Sequence, residues 1–358
     1  MFLLLKKTNI LDYLKTMFRY LKFPFISLAL GLAAAGLLSW LQVPTFTHVV
    51  QTLLTVLLLS ILEISLSFDN AIVNATVIKK MSPLWKTRFL FWGMLVAVFG
   101  MRILFPVMIV AAAGSLNVID AFLLAIQKPD LYSQMMLESH LAVSSFGGAF
   151  LLMVSLNFFM NEVKETHWIS WIEKIFVKLA KFKGGDIILV LAVLMVIYAY
   201  LDFESQATFI KSALYGMLTY LFVHGFSELL GNENLTRIKW LSSGFGLFLY
   251  LEVLDASFSF DGVIGAFAIT TQIYEIIIGL GVGAFFVRGL TLYLVEEEKL
   301  EQYEFLEHGA FYALLMLALF MLLDHFFHFT EWITALTGAI ILLLSVLYSI
   351  HTRRQQEK

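Results

Sequence analysis

The sequence predicts an all-α, polytopic membrane helix bundle of about ten transmembrane spans, built as an inverted-topology internal repeat. Three observations predict it. Of 358 residues, 60% are hydrophobic and only 14% are charged, and the mean hydropathy is +0.84, far outside the soluble range. The apolar residues fall in stretches of roughly 20 or more, enough for a helix to cross ~30 Å of hydrocarbon. One acidic motif then occurs twice, in stretches five spans apart.

In chain order, residues 1–23 form a basic, partly amphipathic cytoplasmic segment with Lys6, Lys7, Lys15, Arg19 and Lys22. Spans are expected at 24–43, 48–78, 88–113, 139–161, 186–202, 208–230, 240–270, 274–295, 309–329 and 332–350. The first is longer than a signal-peptide core and lacks a cleavage site, so it reads as a retained anchor. Residues 24–162 make the first half of the repeat and 186–350 the second. Between them, 163–185 is a cytoplasmic interfacial segment with Trp, Ile and Phe on one face and Lys on another; 351–358 is a cytoplasmic tail. The basic residues set the orientation. Lys79, Lys80, Lys86 and Arg88, then Lys164, Lys174, Lys178, Lys181 and Lys183, then Arg237 and Lys239, then Lys299, Arg353, Arg354 and Lys358 all fall in alternate loops, while the opposite loops hold little beyond Lys128. Both termini are therefore expected in the cytoplasm, with the chain in the inner (plasma) membrane. The net charge of −3 gives no basic surface for nucleic acid. With no cysteine, disulfides, thiolate metal sites and cysteine nucleophiles are excluded.

The repeated motif carries the chemistry. EISLSFDNAI at 63–72 and DASFSFDGVI at 255–264 share an acid, two serines and Phe-Asp in register. The likeness continues from GMLVAVFGMR (93–102) to GLGVGAFFVR (279–288), each ending in an intramembrane arginine. Motifs five spans apart run in opposite directions through the bilayer, the architecture in which secondary transporters bind their cargo near the midplane. An acid at the centre of a membrane helix costs about 2.5 to 3.5 kcal/mol. Glu63, Asp69, Glu252, Asp255 and Asp261 together would cost on the order of 10 kcal/mol or more if left uncompensated. Protons, the two arginines Arg102 and Arg288, or a bound cation can compensate, but two arginines do not neutralise five acids.

Glu63, Ser67, Asn70 and Asn74 recur at helical spacing on one face, and Glu252, Asp255 and Ser259 repeat the stripe. Asp69 and Asp261 lie roughly 100° off it in an unbroken helix, so they face another helix or mark a place where the helix unwinds. The motif donors, with Ser65 and Ser257 added, are all oxygens, which suits Mg²⁺, Ca²⁺ or Mn²⁺ and is a poor match for Zn²⁺ or Cu⁺.

Other polar groups admit plainer readings. His224 and Glu228 read as a helix-end pair or an exit route for ions. Asp324, His325, His328 and Glu331 at the outer end of the ninth span are solvated side chains or a metal site. Asn157 and Asn161 extend the polar path or bond between helices. Glu296, Glu297 and Glu298 read as a solvated loop or a regulatory cation site. Gly279, Gly281 and Gly283 follow no strand and suit close helix packing rather than nucleotide binding.

LEISLSFDNAIV and LEVLDASFSFDGVIGAFAIT resemble the signature segments of TerC-like integral membrane proteins. FGMRILFPVMIV, FGGAFLLM, GLGVGAFFVRGLTLYLV and LEHGAFYALL also look like an uncharacterised bacterial branch of that group, so the resemblance covers about residues 50–350. That group includes manganese exporters and proteins linked to tellurite resistance, and is grouped with lysine-exporter-type transporters. The resemblance implies divalent cation efflux with Glu63, Asp69, Asp255 and Asp261 as ligands; the extra spans here depart from the shorter manganese exporters.

Three function classes follow. The first is a proton-coupled secondary transporter exporting a hard divalent cation, with the metal as cargo and no resident cofactor. Its partners are the bilayer, the metal, protons and, where it assembles, a second copy of itself. The second is a non-transporting scaffold in a metal or tellurite stress response. The third, an intramembrane di-aspartate enzyme, lacks a tyrosine-aspartate or glycine-x-glycine-aspartate motif, and the expectation is no enzymatic activity.

Overall fold

The computed structural model describes residues 10–93, 95–161, 164, 166–231 and 244–356. Lys6, Lys7, Arg237, Lys239 and Lys358 lie outside these, as do the side chains of Lys15, Glu228, Asp261, Lys299 and Glu331. The described residues contain no strand.

Among the described residues, each stretch marked as a span falls on one helix or on consecutive helical segments. In order these are α1 (Ile10–Gln42), α2 (Phe46–Leu66), α3 (Phe68–Lys79), α4 (Pro83–Arg88), π-helical segments at Phe89–Gly93 and Val96–Leu104, and α5 (Phe105–Ala113). α6 (Val118–Gln127), α7 (Pro129–Glu138), α8 (His140–Phe159), α9 (Ser170–Ala180), α10 (Gly185–Tyr200) and α11 (Phe203–Gly231) follow. The chain ends with α12 (Phe245–Ile269), α13 (Ile273–Glu296), the short α14 (Lys299–Gln302), α15 (Leu306–Phe327) and α16 (Glu331–Gln356).

Among the described residues, six helices are long and apolar enough to cross a membrane, on α1, α2, α8, α13, α15 and α16. Two bent pairs raise this to eight: Phe99–Ala113 with α6, bent by 104°, and α9 with α10, bent by 109°. α12 stays below that apolar standard because Glu252, Asp255 and Asp261 punctuate its middle, and α11 because Lys211, His224 and its tyrosines dilute it.

Side-chain contacts sort the helix ends. At one end, Tyr20 of α1 donates to Glu296 and Glu297 at the close of α13. Lys79 at the close of α3 pairs with Glu301, and the Phe305 N–H bonds Ser349 of α16 at 2.9 Å. At the other end, Thr52 of α2 donates to Glu275 of α13 at 2.7 Å. There His140 of α8 meets Asp324 of α15 at 3.5 Å, and His325 meets Asp202 at 3.1 Å.

Glycines let the central helices touch. A methyl added at Gly279 or Gly283 would strike Leu59 or Glu63 of α2, so α13 lies directly against α2. Gly147 and Gly148 of α8 do the same against Met321 and Leu322 of α15. The GLGVG run therefore acts in helix packing, with Gly281 buried beside its neighbours. The larger core joins α3, α8, α10, α11, α12 and α15; a smaller one joins α2, α5, α6, α7, α12 and α13.

The 163–185 segment presents an exposed apolar face, with Trp171, Ile175 and Phe182 outward, as an interfacial helix does. Its opposite face is tied down by Glu173, which is 0% exposed. That carboxylate meets Lys164 at 2.7 Å and His167 at 2.9 Å, and it accepts from the Trp168 and Ile169 N–H groups and from the Tyr312 hydroxyl.

Candidate functional site

The helix carrying the first motif breaks. α2 ends at Leu66 and α3 begins at Phe68, with Ser67 between them at φ −103°, ψ 14°. The Ser67 N–H still bonds the Glu63 carbonyl, while its hydroxyl donates to the Glu63 carboxylate at 2.9 Å. The second motif lies on α12, which is continuous. Asp69 meets both alternatives raised by the sequence: it sits just past the break, and it faces other helices.

The two motif segments pack side by side and antiparallel. Asn74 of α3 donates to Asp255 of α12 at 2.7 Å. Eleven positions earlier on the first motif helix, the Glu63 carboxylate lies 3.0 Å from where a Cβ on Gly262 would stand. Numbers rise along one helix as they fall along the other. The contact is also reciprocal: Glu63 corresponds to Asp255 and Gly262 to Asn70, and Asn70 in turn lies beside the Asp255 carboxylate.

Between the helices is a chamber of about 40 Å³, walled by Glu63, Ser67, Asn70, Asn74, Asp255 and Ser259, with Arg102, Arg288, Thr291 and the apolar Ala97, Ala284 and Val287 around them. At about 10–15 Å³ per water, it holds roughly three or four. The predicted stripe is thus assembled on both motifs. Arg102 forms a buried ion pair with Glu63 and also donates to the Ala97 carbonyl. It projects from a π-helical stretch, whose wide turn is a recurrent functional distortion. Arg288 instead donates to the Phe89 carbonyl and stacks over the Phe89 ring at 4.0 Å.

Several chamber oxygens have no hydrogen-bond partner among the described residues: Asn70 Oδ1, Asn74 Oδ1 and Ser259 Oγ. Both Glu252 oxygens are likewise buried and unpartnered, one turn from Asp255 and against Gly93. Buried acceptors are seldom left unmatched.

Other predicted site residues lie elsewhere. Asp69, 7% exposed, does not reach the chamber; with Ser65 it lines a separate cavity of about 20 Å³ against Ala313 of α15 and Gly338 of α16. Ser65 and Ser257 bond back to the carbonyls of Ile61 and Val253. The Asp261 side chain is outside the described residues. No group of three His, Cys, Asp or Glu side chains is gathered as a metal site among the described residues, which applies to Asp324, His325 and His328 as well. Asp324 and His325 turn to different partners, and His328 caps α15 in the left-handed region. Glu296 and Glu297 hold Tyr20 rather than standing free in a loop.

Two buried acids escaped the sequence reading. Glu275 accepts from Thr52 and from Thr270, each at 2.7 Å; its position inside a predicted span was the available signal. Glu173 was hidden in an amphipathic pattern. Burial works to raise its carboxyl, yet Lys164, His167 and the Ile169 N–H outweigh that and hold it below the usual value. Burial lowers Lys164, against the opposing pull of Glu173.

These features define an all-helical membrane protein with a buried, oxygen-lined chamber between two antiparallel motif helices. The chain belongs to the family described as Protein of unknown function (DUF475), whose model matches residues 68–356. No curated protein matches the chain, and no solved structure does.

Proposed function

We propose that the protein is a secondary transporter exporting a hard divalent cation in exchange for protons, with Mn²⁺ the cargo that the TerC-like resemblance implies. The observation carrying this reading is the reciprocal antiparallel contact: Asn74 on Asp255 at 2.7 Å, and Glu63 against Gly262. It encloses carboxylate, amide and hydroxyl oxygens, several unpartnered, and only such donors suit a hard cation.

The same reading takes α1, α2 with α3, the π-helical stretch with α5, α8, α10, α11, α12, α13, α15 and α16 as ten spans forming an inverted repeat, both termini cytoplasmic in the inner membrane. Supporting it, the starts and ends of these helices sort to two ends of the bundle as ten alternating spans require. The packing of α3 on α15 and of α12 on α8 also exchange under the repeat.

In this mechanism the ion displaces Arg102 from Glu63 and takes Glu63, Asp255 and the Asn70, Asn74 and Ser259 oxygens. Arg102 and Arg288 balance the acids when it leaves. Metal binding needs deprotonated carboxylates, so protons and metal exclude each other at one site. Asp69, which lines its own cavity, acts outside the chamber wall as a gating acid of the same path, and Asp261 keeps the ligand role that the resemblance implies.

The test is Mn²⁺ uptake into everted membrane vesicles with an imposed pH gradient, alongside Mg²⁺ and Ca²⁺. Uptake that depends on Asp255 supports the proposal. Absence of uptake for all three ions, or wild-type uptake in Asp255→Asn, overturns it.

A further inference from the structure

A second, larger cavity lies beyond the chamber, toward the end of the bundle marked by Lys79–Glu301. Its volume is about 350 Å³, against about 40 Å³ for the chamber. Its walls include Thr76 and Tyr250. Thr76 is two residues past Asn74 on α3 and Tyr250 five residues before Asp255 on α12. At 1.5 Å per residue, the cavity begins roughly 3 to 8 Å below the chamber along both motif helices.

Besides Thr76 and Tyr250, the polar groups lining this cavity are Asn157 from α8 and Asn161 just past it, His224 and Ser227 from α11, Lys80 at the end of α3 and Glu307 from the start of α15. Glu307 is the carboxylate of the wall; burial disfavours its charged form most, and Lys80, Lys164 and Lys79, in that order, favour it. Lys79 and Lys164 are already engaged, by Glu301 and Glu173. Lys80 thus supplies the cavity with a tethered cation on a flexible stem.

Volume separates what each cavity takes. At about 10–15 Å³ per water, the larger one accepts an ion with its full shell of about six waters, and the chamber accepts one only after most are shed. We infer that the larger cavity is a loading vestibule that binds a divalent cation through its hydration shell, with Glu307 supplying the charge, Asn157 and Asn161 accepting hydrogen bonds from the ion's waters, and Lys80 as the built-in competitor the ion displaces. This rests on the transporter reading for its direction, but not for the binding itself.

Hexaamminecobalt(III) tests it, because its ammine shell matches a hydrated ion and cannot be shed. Titration into the purified protein in zwitterionic nanodiscs is expected to show saturable binding. Affinity falls about tenfold in Glu307→Gln and several-fold in Asn157→Leu, as expected for loss of bonds to a charged ligand; it rises in Lys80→Met. No binding, or equal affinity in wild type, Glu307→Gln and Asn157→Leu, overturns the vestibule. Binding with this pattern in a protein that moves no Mn²⁺ upholds the vestibule and overturns only the transport reading.

Discussion

The Asn74 side-chain amide donates to the Asp255 carboxylate at 2.7 Å, across 181 positions of sequence. This bond ties the two motif copies together at the chamber, so its loss should be read in function before stability. Asp255→Asn is expected to reduce Mn²⁺ uptake into everted vesicles by at least about a hundredfold while the protein still inserts, because removing a membrane-embedded charge does not penalise the fold. Asn74→Leu should cost less, roughly tenfold, through loss of one charge-assisted bond.

The Glu63–Arg102 pair is buried on both sides, with side chains 1% and 6% exposed. Removing one partner of such a pair costs about 3 to 5 kcal/mol, since the other charge stays buried alone. Arg102→Met should lower the Tm in detergent by several degrees, and the double variant with Glu63→Gln should regain part of it. A double variant less stable than Arg102→Met would refute the coupling.

Asp69 is outside the chamber yet in the same broken helix. Asp69→Asn is expected to slow uptake without shifting the metal concentration for half-maximal rate, the signature of a residue acting on a conformational step. A raised half-maximal concentration would place Asp69 among the ligands instead.

The surface helix α9 carries a pH signature. Glu173 is held below its ordinary 4.5 by the groups around it. A carboxyl depressed in the folded state contributes stability that is complete above about 4.5 and lost as pH falls through the lower folded value. Lys164, depressed by burial, favours docking further as pH rises. Amide protection over 166–180, taken relative to the intrinsic exchange rate at each pH, should therefore fall below a pH of about 4.5 and rise on the alkaline side, and Glu173→Gln should remove the acidic limb.

Much of this was legible. The double motif, the polar stripe and the paired arginines could be read because period and repetition survive in one dimension. Asp69 could be read as lying off the stripe, but the cavity it lines could not, since Ala313 and Gly338 come from helices far away in sequence. Arg288 likewise repeats Arg102 in sequence but turns to the Phe89 carbonyl, at the start of a π-helical turn that the sequence does not announce. Glu173 was masked because one buried acid among lysines keeps an amphipathic profile intact.

Gly279 and Gly283 lie beneath Leu59 and Glu63, where any larger residue would collide. Overpacking by one methylene costs roughly 1 to 3 kcal/mol, so Gly283→Ala should push Glu63 off its station as well as lower the Tm. The reactive acid is thus aimed by atoms its neighbours lack. A survey of the chamber guided by charge alone would pass over two glycines on which the station of Glu63 depends.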